Sequence, residues 1–188
     1  MKKIWIILIL LPLITKAPPI SERVFNIQVD NLKEDIQHKK DVVEYQNFLL
    51  QLRIKESTNV WDTINRFGYI GYYQFGNAAL QTIGYGHITT KKFRKNPNIF
   101  SPKLQHKAVK KLLQYNSRIL KSYYRYIGHT INGIYITESG LLAAAHLGGA
   151  GHVMEFLNDN GKSDFADGNG TKISKYLKEF SNYKIKIN

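Results

Sequence analysis

The sequence predicts a mainly α-helical fold, and two observations carry this prediction. Apolar residues recur at three- and four-residue spacing in several segments, which places them on one face of a helix. Residues that start or end helices (Ser, Thr, Pro and Gly) stand at the borders of these segments. The chain has 188 residues, 43% of them hydrophobic, which is enough for one sizeable core.

The first half of the chain contains a clear helical pattern followed by glycine-rich turns. A helix is expected from about residue 39 to residue 57, with five apolar side chains on one face: Val42, Tyr45, Phe48, Leu49 and Leu52. A short helix is expected over residues 60–66, ending before Gly68. The Gly- and Tyr-rich stretch that follows predicts tight turns, with one or two helical turns over residues 75–82. Residues 91–98 predict a basic loop.

The second half of the chain contains strong helix-start signals. Ser101-Pro102 predicts the beginning of a long helix, because Ser is a good cap and Pro suits the first turn. Residues 128–133 predict a turn. Thr137 is expected to cap an apolar helix over residues 141–147, which the following glycine pair ends.

Two more helices are expected, separated by a loop that resembles a calcium site only in composition. The first covers residues 152–157, and the second follows Thr171, which is expected to cap it. Four residues of the last helix are expected to face inward: Ile173, Tyr176, Leu177 and Phe180.

The loop over residues 159–171 is rich in Asp, Asn and Gly but lacks the spacing of an EF-hand. The six histidines show no HExxH pattern, so we expect no metal and no cofactor.

The N-terminal segment predicts export from the cytoplasm. Lys2 and Lys3 precede an eleven-residue apolar run, and Thr15-Lys16-Ala17 follows as a small-residue cleavage site. We therefore expect residues 1–17 to be a signal peptide, with an uncleaved anchor as the alternative. Residues 18–37 predict a linker with a strand-like stretch at 24–29, and residues 38–188 the main domain.

The strong positive charge predicts an anionic partner. The formal net charge is +13, and removal of residues 1–17 with their three lysines would leave +10. Nucleic acid, a membrane surface and a bacterial envelope polymer would each fit such a charge. Export favours the envelope, because nucleic acid is scarce outside the cell. The absence of cysteine excludes disulfides, a thiol nucleophile and Cys-ligated metals.

Glu56 is the residue most suited to carry chemistry. It stands where an amphipathic helix is expected to end, shortly before the Gly- and Tyr-rich stretch. A carboxyl group against apolar walls has a raised pKa, so it can donate a proton to a glycosidic oxygen near neutral pH. Tyrosine rings can stack on sugar rings, and glycines leave room for a chain of sugars.

Three motifs resemble the lysozyme-like superfamily of lytic transglycosylases and muramidases. Glu56-Ser57 followed by GYYQFG at 71–76 is similar to its ES and GLYQF motifs, and AAHLGG at 144–149 to its third motif. The segment TIGYGH, which begins at Thr82, is similar to a signature of phage-type lysozymes. The resemblance implies a single lysozyme-like helical domain, preceded by a signal segment and a short linker. It also implies cleavage of the MurNAc–GlcNAc bond of peptidoglycan, with Glu56 as the catalytic acid.

Five further residues are expected to contact the glycan, in the cleft that this resemblance implies. They are Ser57, Tyr73, Gln74, Thr82 and His146. Gln74 corresponds to the glutamine of the family's second motif, which lines the glycan cleft. Thr82 corresponds to the threonine of the phage-type signature, which helps to position water. His146 replaces a polar aromatic residue of the third motif, and we expect it to form part of the cleft wall rather than to act as a base.

The existence of a second carboxylate decides between two reactions. Asp62, Asp164 and Asp167 are candidates for the group that would assist water. If none approaches Glu56, the sugar's own 6-hydroxyl would attack, and the product would be a 1,6-anhydromuramoyl end. The sequence leaves both outcomes open.

Two other classes of function fit the composition. One is a cell-wall-binding module that keeps the fold without the chemistry, and the other is an exported nucleic-acid-binding protein. Our expectation is a monomeric enzyme of the bacterial envelope, secreted or periplasmic, with no membrane span after cleavage. Its partners would be peptidoglycan strands and anionic envelope polymers, and not nucleic acid.

Overall fold

The computed structural model describes residues 20–187, and their regular structure is helical apart from one short hairpin. The α-helices are α1 (Ile20–Ser57), α2 (Asn77–Thr82), α3 (Thr90–Lys95), α4 (Pro102–Ile119), α5 (Glu138–Gly148), α6 (Ala150–Asn158) and α7 (Ile173–Glu179). Two 3-10 helices, Pro97–Phe100 and Lys121–Tyr126, flank α4. The antiparallel strands are β1 (Thr130–Ile131) and β2 (Ile134–Tyr135). The prediction of a mainly helical fold is confirmed, whereas the predicted signal peptide lies outside the described residues.

The chain divides into two units, and the division follows Lys39. In the first unit, residues 20–39 belong to α1, and all their side chains are exposed except that of Val29, which is half-buried. The strand-like stretch predicted at residues 24–29 is therefore wrong, because α1 runs through it without a break. The described part of the predicted linker is likewise helical. Within residues 20–187, no helix is both long enough and apolar enough to cross a membrane.

The second unit, from Lys40 onward, is built around α5, whose residues 141–145 are all buried. Helices α4, α6 and α7 pack against it. The hydroxyl of Thr137 accepts a hydrogen bond of 3.1 Å from the Gly140 amide, so the predicted cap of α5 is confirmed. The long helix predicted after Ser101 is also confirmed, since α4 begins at Pro102.

Residues 60–66 do not form the predicted helix, because contacts with later residues hold them in turns. The side-chain oxygen of Asn65 accepts hydrogen bonds from the amides of Phe67 (2.9 Å) and Tyr69 (3.0 Å). The Gly71 amide donates to the Thr63 carbonyl at 2.9 Å. These bonds fold the glycine-rich segment back beside the end of α1.

The basic loop predicted at residues 91–98 is also wrong, because α3 and the first 3-10 helix occupy it. Thr89 caps α3 by accepting a 3.3 Å hydrogen bond from the Lys92 amide. Phe93 is fully buried and anchors this short helix to the core. Because α3 has only one buried apolar side chain, its sequence shows no apolar periodicity from which the helix could have been predicted.

Helix α7 begins at Ile173 without the predicted Thr171 cap. The Thr171 amide instead donates to Oδ1 of Asp167 at 2.7 Å, and the Thr171 carbonyl accepts from the Asp167 amide at 2.9 Å. Thr171 therefore closes the loop that precedes α7. The four residues that we expected to face inward are all buried: Ile173, Tyr176, Leu177 and Phe180.

Candidate active site

A cleft of about 430 Å³ lies in the second unit, between the end of α1, the glycine-rich segment, α4, α5 and the loop before α7. Both polar and aromatic side chains line it. The polar ones include Glu56, Asn65, Gln74, Thr82, Asn116, His146 and Asp167, and the aromatic ones include Phe67, Tyr69, Tyr115 and Tyr176. Four of the six residues expected at the site therefore share one cleft, namely Glu56, Gln74, Thr82 and His146.

The carboxyl group of Glu56 lies in the wall of this cleft, and its side chain is only 13% exposed. The Tyr176 hydroxyl donates a hydrogen bond of 2.8 Å to Glu56 Oε1. Burial raises the pKa of Glu56 above its ordinary value, and the Asp167 carboxylate adds to this effect. His146, the Tyr176 hydroxyl and Lys55 act in the opposite direction, but burial dominates. Glu56 thus holds its proton at a higher pH than an exposed glutamate does.

His146 stands beside Glu56 with one ring nitrogen already engaged. Its Nε2 donates a hydrogen bond of 2.8 Å to the Tyr73 carbonyl and lies 3.9 Å from Glu56 Oε1. Because a carbonyl oxygen can only accept, Nε2 carries the hydrogen and cannot take a proton from a substrate. Its Nδ1 is buried and has no hydrogen-bond partner in residues 20–187. His146 therefore lies in the wall of the cleft.

Gln74 lines the cleft and carries a buried acceptor without a partner in residues 20–187. Its side-chain Nε2 donates to the Gly71 carbonyl at 2.9 Å, which fixes the orientation of the amide. The other amide atom, Oε1, is buried and meets no donor from the described part of the chain. Gln74 also has a φ of +47°, a left-handed conformation that costs a side-chain-bearing residue free energy. A tight turn from Gly71 to Phe75 enforces it, since Ile70 and Phe75 exchange backbone hydrogen bonds of 3.1 and 2.9 Å.

Tyr73 and Ser57 do not line the cleft, although both were expected to contact the glycan. Tyr73 is fully buried, and its hydroxyl lies 2.7 Å from His106 Nδ1. Burial raises the pKa of Tyr73 and keeps its hydroxyl protonated. The Ser57 hydroxyl donates to the Tyr72 carbonyl at 2.9 Å and accepts from the Val60 amide at 3.2 Å. Both side chains hold the backbone that carries the neighbouring cleft residues.

Thr82 lies at the rim of the cleft, at the end of α2. Its side chain is exposed, and its hydroxyl donates a hydrogen bond of 3.0 Å to the Ala78 carbonyl one turn earlier. That bond is local to the helix, so the hydroxyl oxygen can still accept a hydrogen bond from a ligand or from water.

Of the three aspartates considered as a second carboxylate, Asp167 is the one that lines the cleft. Its Oδ1 accepts hydrogen bonds from the amides of Asn169 (2.9 Å) and Thr171 (2.7 Å), which orient the carboxyl group. Asp164 is bound to Ser174 by hydrogen bonds of 3.0 and 2.7 Å, and Asp62 is exposed outside the cleft.

The sequence did not single out Tyr176 or Asn116 as site residues. Tyr176 was expected in the core, and it is 97% buried, yet its hydroxyl reaches a carboxyl group 120 residues earlier in the chain. Asn116 on α4 is 3% exposed, and its Nδ2 is without a hydrogen-bond partner in residues 20–187. A useful signal was present, because Asn116 interrupts the buried face formed by Leu112, Leu113 and Leu120. A polar residue in such a position needs a partner.

Residues 20–187 bring together no group of three or more His, Asp or Glu side chains that could hold a metal ion. No family model, curated protein or solved structure matches this chain. The function therefore has to be inferred from the residues of the cleft.

Proposed function

We propose that this protein is an exported enzyme that cleaves the glycan strand of peptidoglycan at the MurNAc–GlcNAc β-1,4 bond. Glu56 is the general acid, and the helical second unit is a lysozyme-like domain. The observation that carries the proposal is the Glu56 carboxyl group, which is 13% exposed in the wall of a cleft and has a raised pKa. A protonated carboxyl group at such a place is what cleavage of a glycosidic bond requires.

Tyr176 supports this role by orienting the acid. Its hydroxyl donates to Oε1 of Glu56, so the proton of the neutral carboxyl group resides on Oε2. From there it passes to the oxygen of the leaving sugar as the bond to the anomeric carbon breaks. Tyr176 thus acts through Glu56, and it is a positioning residue.

The remaining cleft wall suits an amphipathic polymer with many hydroxyl and amide groups. Thr82 and Asn169 line the cleft with exposed polar side chains that can form hydrogen bonds with a ligand. The rings of Phe67 and Tyr69, 48% and 44% exposed, provide apolar faces on which sugar rings can stack.

Asp167 is the group that we expect to assist the attacking water. In this step the water oxygen forms a bond to the anomeric carbon, and the bond from that carbon to the leaving oxygen breaks. Asp167 takes a proton from the water, while Glu56 gives its own proton to the leaving oxygen. The products of this route carry ordinary reducing ends. Without such a base, the 6-hydroxyl would attack and leave anhydro ends.

Replacement of the acid tests the proposed function. The variant Glu56→Gln should release muropeptides from purified sacculi at least about 100-fold more slowly than the wild type, because it removes the proton donor. Binding to sacculi in a pelleting assay should remain, since Gln keeps the size and the acceptor of Glu. Glu155→Gln, an exposed change outside the cleft, serves as the matched control.

Clearing of sacculi by Glu56→Gln at the rate of the wild type would refute the catalytic role of Glu56. A wild-type protein that binds sacculi but releases no muropeptides would instead identify a wall-binding module.

Replacement of Asp167 tests the route that the reaction takes. Asp167→Asn keeps an oxygen for the two amides that hold the loop, so the loop should fold as before. We expect this variant to hydrolyse about 100-fold more slowly, while Asp62→Asn should behave like the wild type. Mass spectrometry of the wild-type products should show reducing ends, and a majority of anhydro ends would contradict the role of Asp167.

A further inference from the structure

A second cavity of about 310 Å³ borders the cleft. The second cavity is lined by Thr82, Ile83, Lys111, Gln114, Tyr115 and Arg118, and it shares Thr82 and Tyr115 with the cleft. Its two charged side chains, Lys111 and Arg118, are both positive. We call this second cavity the basic extension.

Both basic residues of the extension come from one face of α4. Lys111, Tyr115 and Arg118 are spaced four and three residues apart, so they follow one another along the helix surface. The ammonium group of Lys111 lies 4.9 Å from the centre of the Tyr85 ring, a cation–π contact that restricts it to this side of α4. Tyr115, which also lines the cleft, therefore lies between the two cations on this face of α4.

Neither cation of the basic extension forms an ion pair with a carboxylate of residues 20–187. The reason lies in the sequence, because no Asp or Glu occurs between Asp62 and Glu138, a stretch that contains α2, α3 and α4. The positive charge in the extension is thus available to an anionic ligand.

We propose that the basic extension binds the carboxylates of the peptide stem that branches from the muramic acid residues of the strand. This inference rests on the proposed function, since it assumes that a glycan strand lies in the cleft. A part of the substrate that reaches a cavity bordering the cleft has to be attached to the strand close to the cleaved bond, and the stem meets this condition. The guanidinium of Arg118 can pair with a carboxylate through two hydrogen bonds, and Lys111 adds a second cation.

The proposal predicts selectivity for strands that carry stems. Because a stem-free strand would lose its charge-assisted hydrogen bonds to the extension, kcat/KM should be roughly tenfold or more higher for stem-bearing strands than for strands stripped by an amidase. In the double variant Lys111→Gln/Arg118→Gln, the ratio of the two kcat/KM values should fall toward one. The expected change lies mainly in KM, because the contact is remote from the reacting bond.

A matched double variant separates a local contact from general charge. Lys103→Gln/Lys107→Gln removes the same two charges from exposed positions on the same helix, outside both cavities, and should keep the wild-type ratio. If this control loses the ratio to the same extent, the selectivity comes from net charge and the proposal is overturned.

The remaining outcomes distinguish this inference from the function on which it rests. A wild-type protein that cleaves both substrates with equal kcat/KM overturns the inference but leaves the proposed function standing. A wild-type protein that cleaves neither substrate refutes the proposed function itself. If stem-free strands that carry a phosphate polymer are cleaved as well as stem-bearing ones, the ligand is phosphate and the assignment to carboxylates is overturned.

Discussion

Glu56 gives up most of its contact with water, and this has opposite effects on activity and on stability. The buried carboxyl group keeps its proton at a pH where an exposed one has lost it, as a general acid must. In the unfolded chain the same group ionises near its ordinary pKa of 4.5. Folding at neutral pH therefore has to work against that ionisation.

The sign of the effect on stability follows from proton binding. Between the pKa of the unfolded chain and the higher pKa of the folded protein, the native state binds more protons than the unfolded state, so the free energy of unfolding falls as pH rises. Above the folded pKa, the full penalty for burying Glu56 is present. Below about pH 4.5 the penalty is absent, because the group is neutral in both states.

The variant Glu56→Gln should therefore unfold at a higher temperature than the wild type at pH 8, although we expect it to be inactive. Gln cannot ionise, and its oxygen can still accept the Tyr176 hydrogen bond. Each kcal/mol gained should raise Tm by about 2–4 °C for a chain of this size. The check is a series of thermal unfolding curves from pH 4 to pH 8, in which the gain should disappear at the acidic end. A variant less stable than the wild type at pH 8 would contradict this account.

Neighbouring residues of the GYYQFG motif at 71–76 occupy different environments, and the sequence predicted only some of these environments. Burial alternates from Gly71 to Phe75, so Tyr73 and Phe75 are buried and Gln74 between them is half-buried; Gln74 and Phe75 line the cleft, whereas Tyr73 does not. The motif predicted that this segment borders the cleft, but it could not indicate which side chains face it. The alternation of apolar and other residues with a period of two was the physical signal in the sequence that could have indicated which side chains are buried.

At the scale of elements, α5 and α7 approach so closely that only glycine fits between them. A Cβ atom on Gly140 of α5 would lie 2.7 Å from the Leu177 carbonyl oxygen of α7 and 3.2 Å from the Thr137 hydroxyl. The first neighbour is backbone and cannot rotate away. Because Tyr176 precedes Leu177, this contact also sets the position of the hydroxyl that orients Glu56.

The substitution Gly140→Ala should lower the free energy of unfolding by about 1–3 kcal/mol, although Ala is the better helix former. The reason is that α7 has to move away from α5. Gly151→Ala is the matched control, because that position lies in α6 with no atom within 4 Å of the added Cβ. The control should be neutral or slightly stabilising in denaturant unfolding. Equal stability of the Gly140→Ala variant and the wild type would show that α7 can shift freely.

Elements with their own start signals were predictable, and those that depend on distant contacts were not. Pro102 and Thr137 mark the beginnings of α4 and α5 in the sequence, and both helices begin there. Residues 60–66 have a helical pattern, but their backbone bonds go to residues further along the chain. Local propensity contains no information about such partners.

At the scale of the whole molecule, the sequence predicted the helical class, since periodicity is repeated over many segments. It did not predict how the cleft is assembled, because Glu56 and Tyr176 meet across 120 positions of the sequence. Which segments meet depends on the packing of the entire second unit around α5. The placement of Asp167 depends on the same packing, because it belongs to the loop that precedes α7.

The position of Glu56 near the last residue of α1 has one more consequence for the proposed reaction. The peptide dipoles of a helix align, so its C-terminal end carries about half of an elementary negative charge. A carboxyl group there is favoured in its neutral form, and a positive charge nearby is stabilised. Cleavage of a glycosidic bond develops positive charge on the sugar ring. In the proposed reaction, the helix that carries Glu56 would therefore also place its electronegative end close to the sugar ring that becomes positively charged.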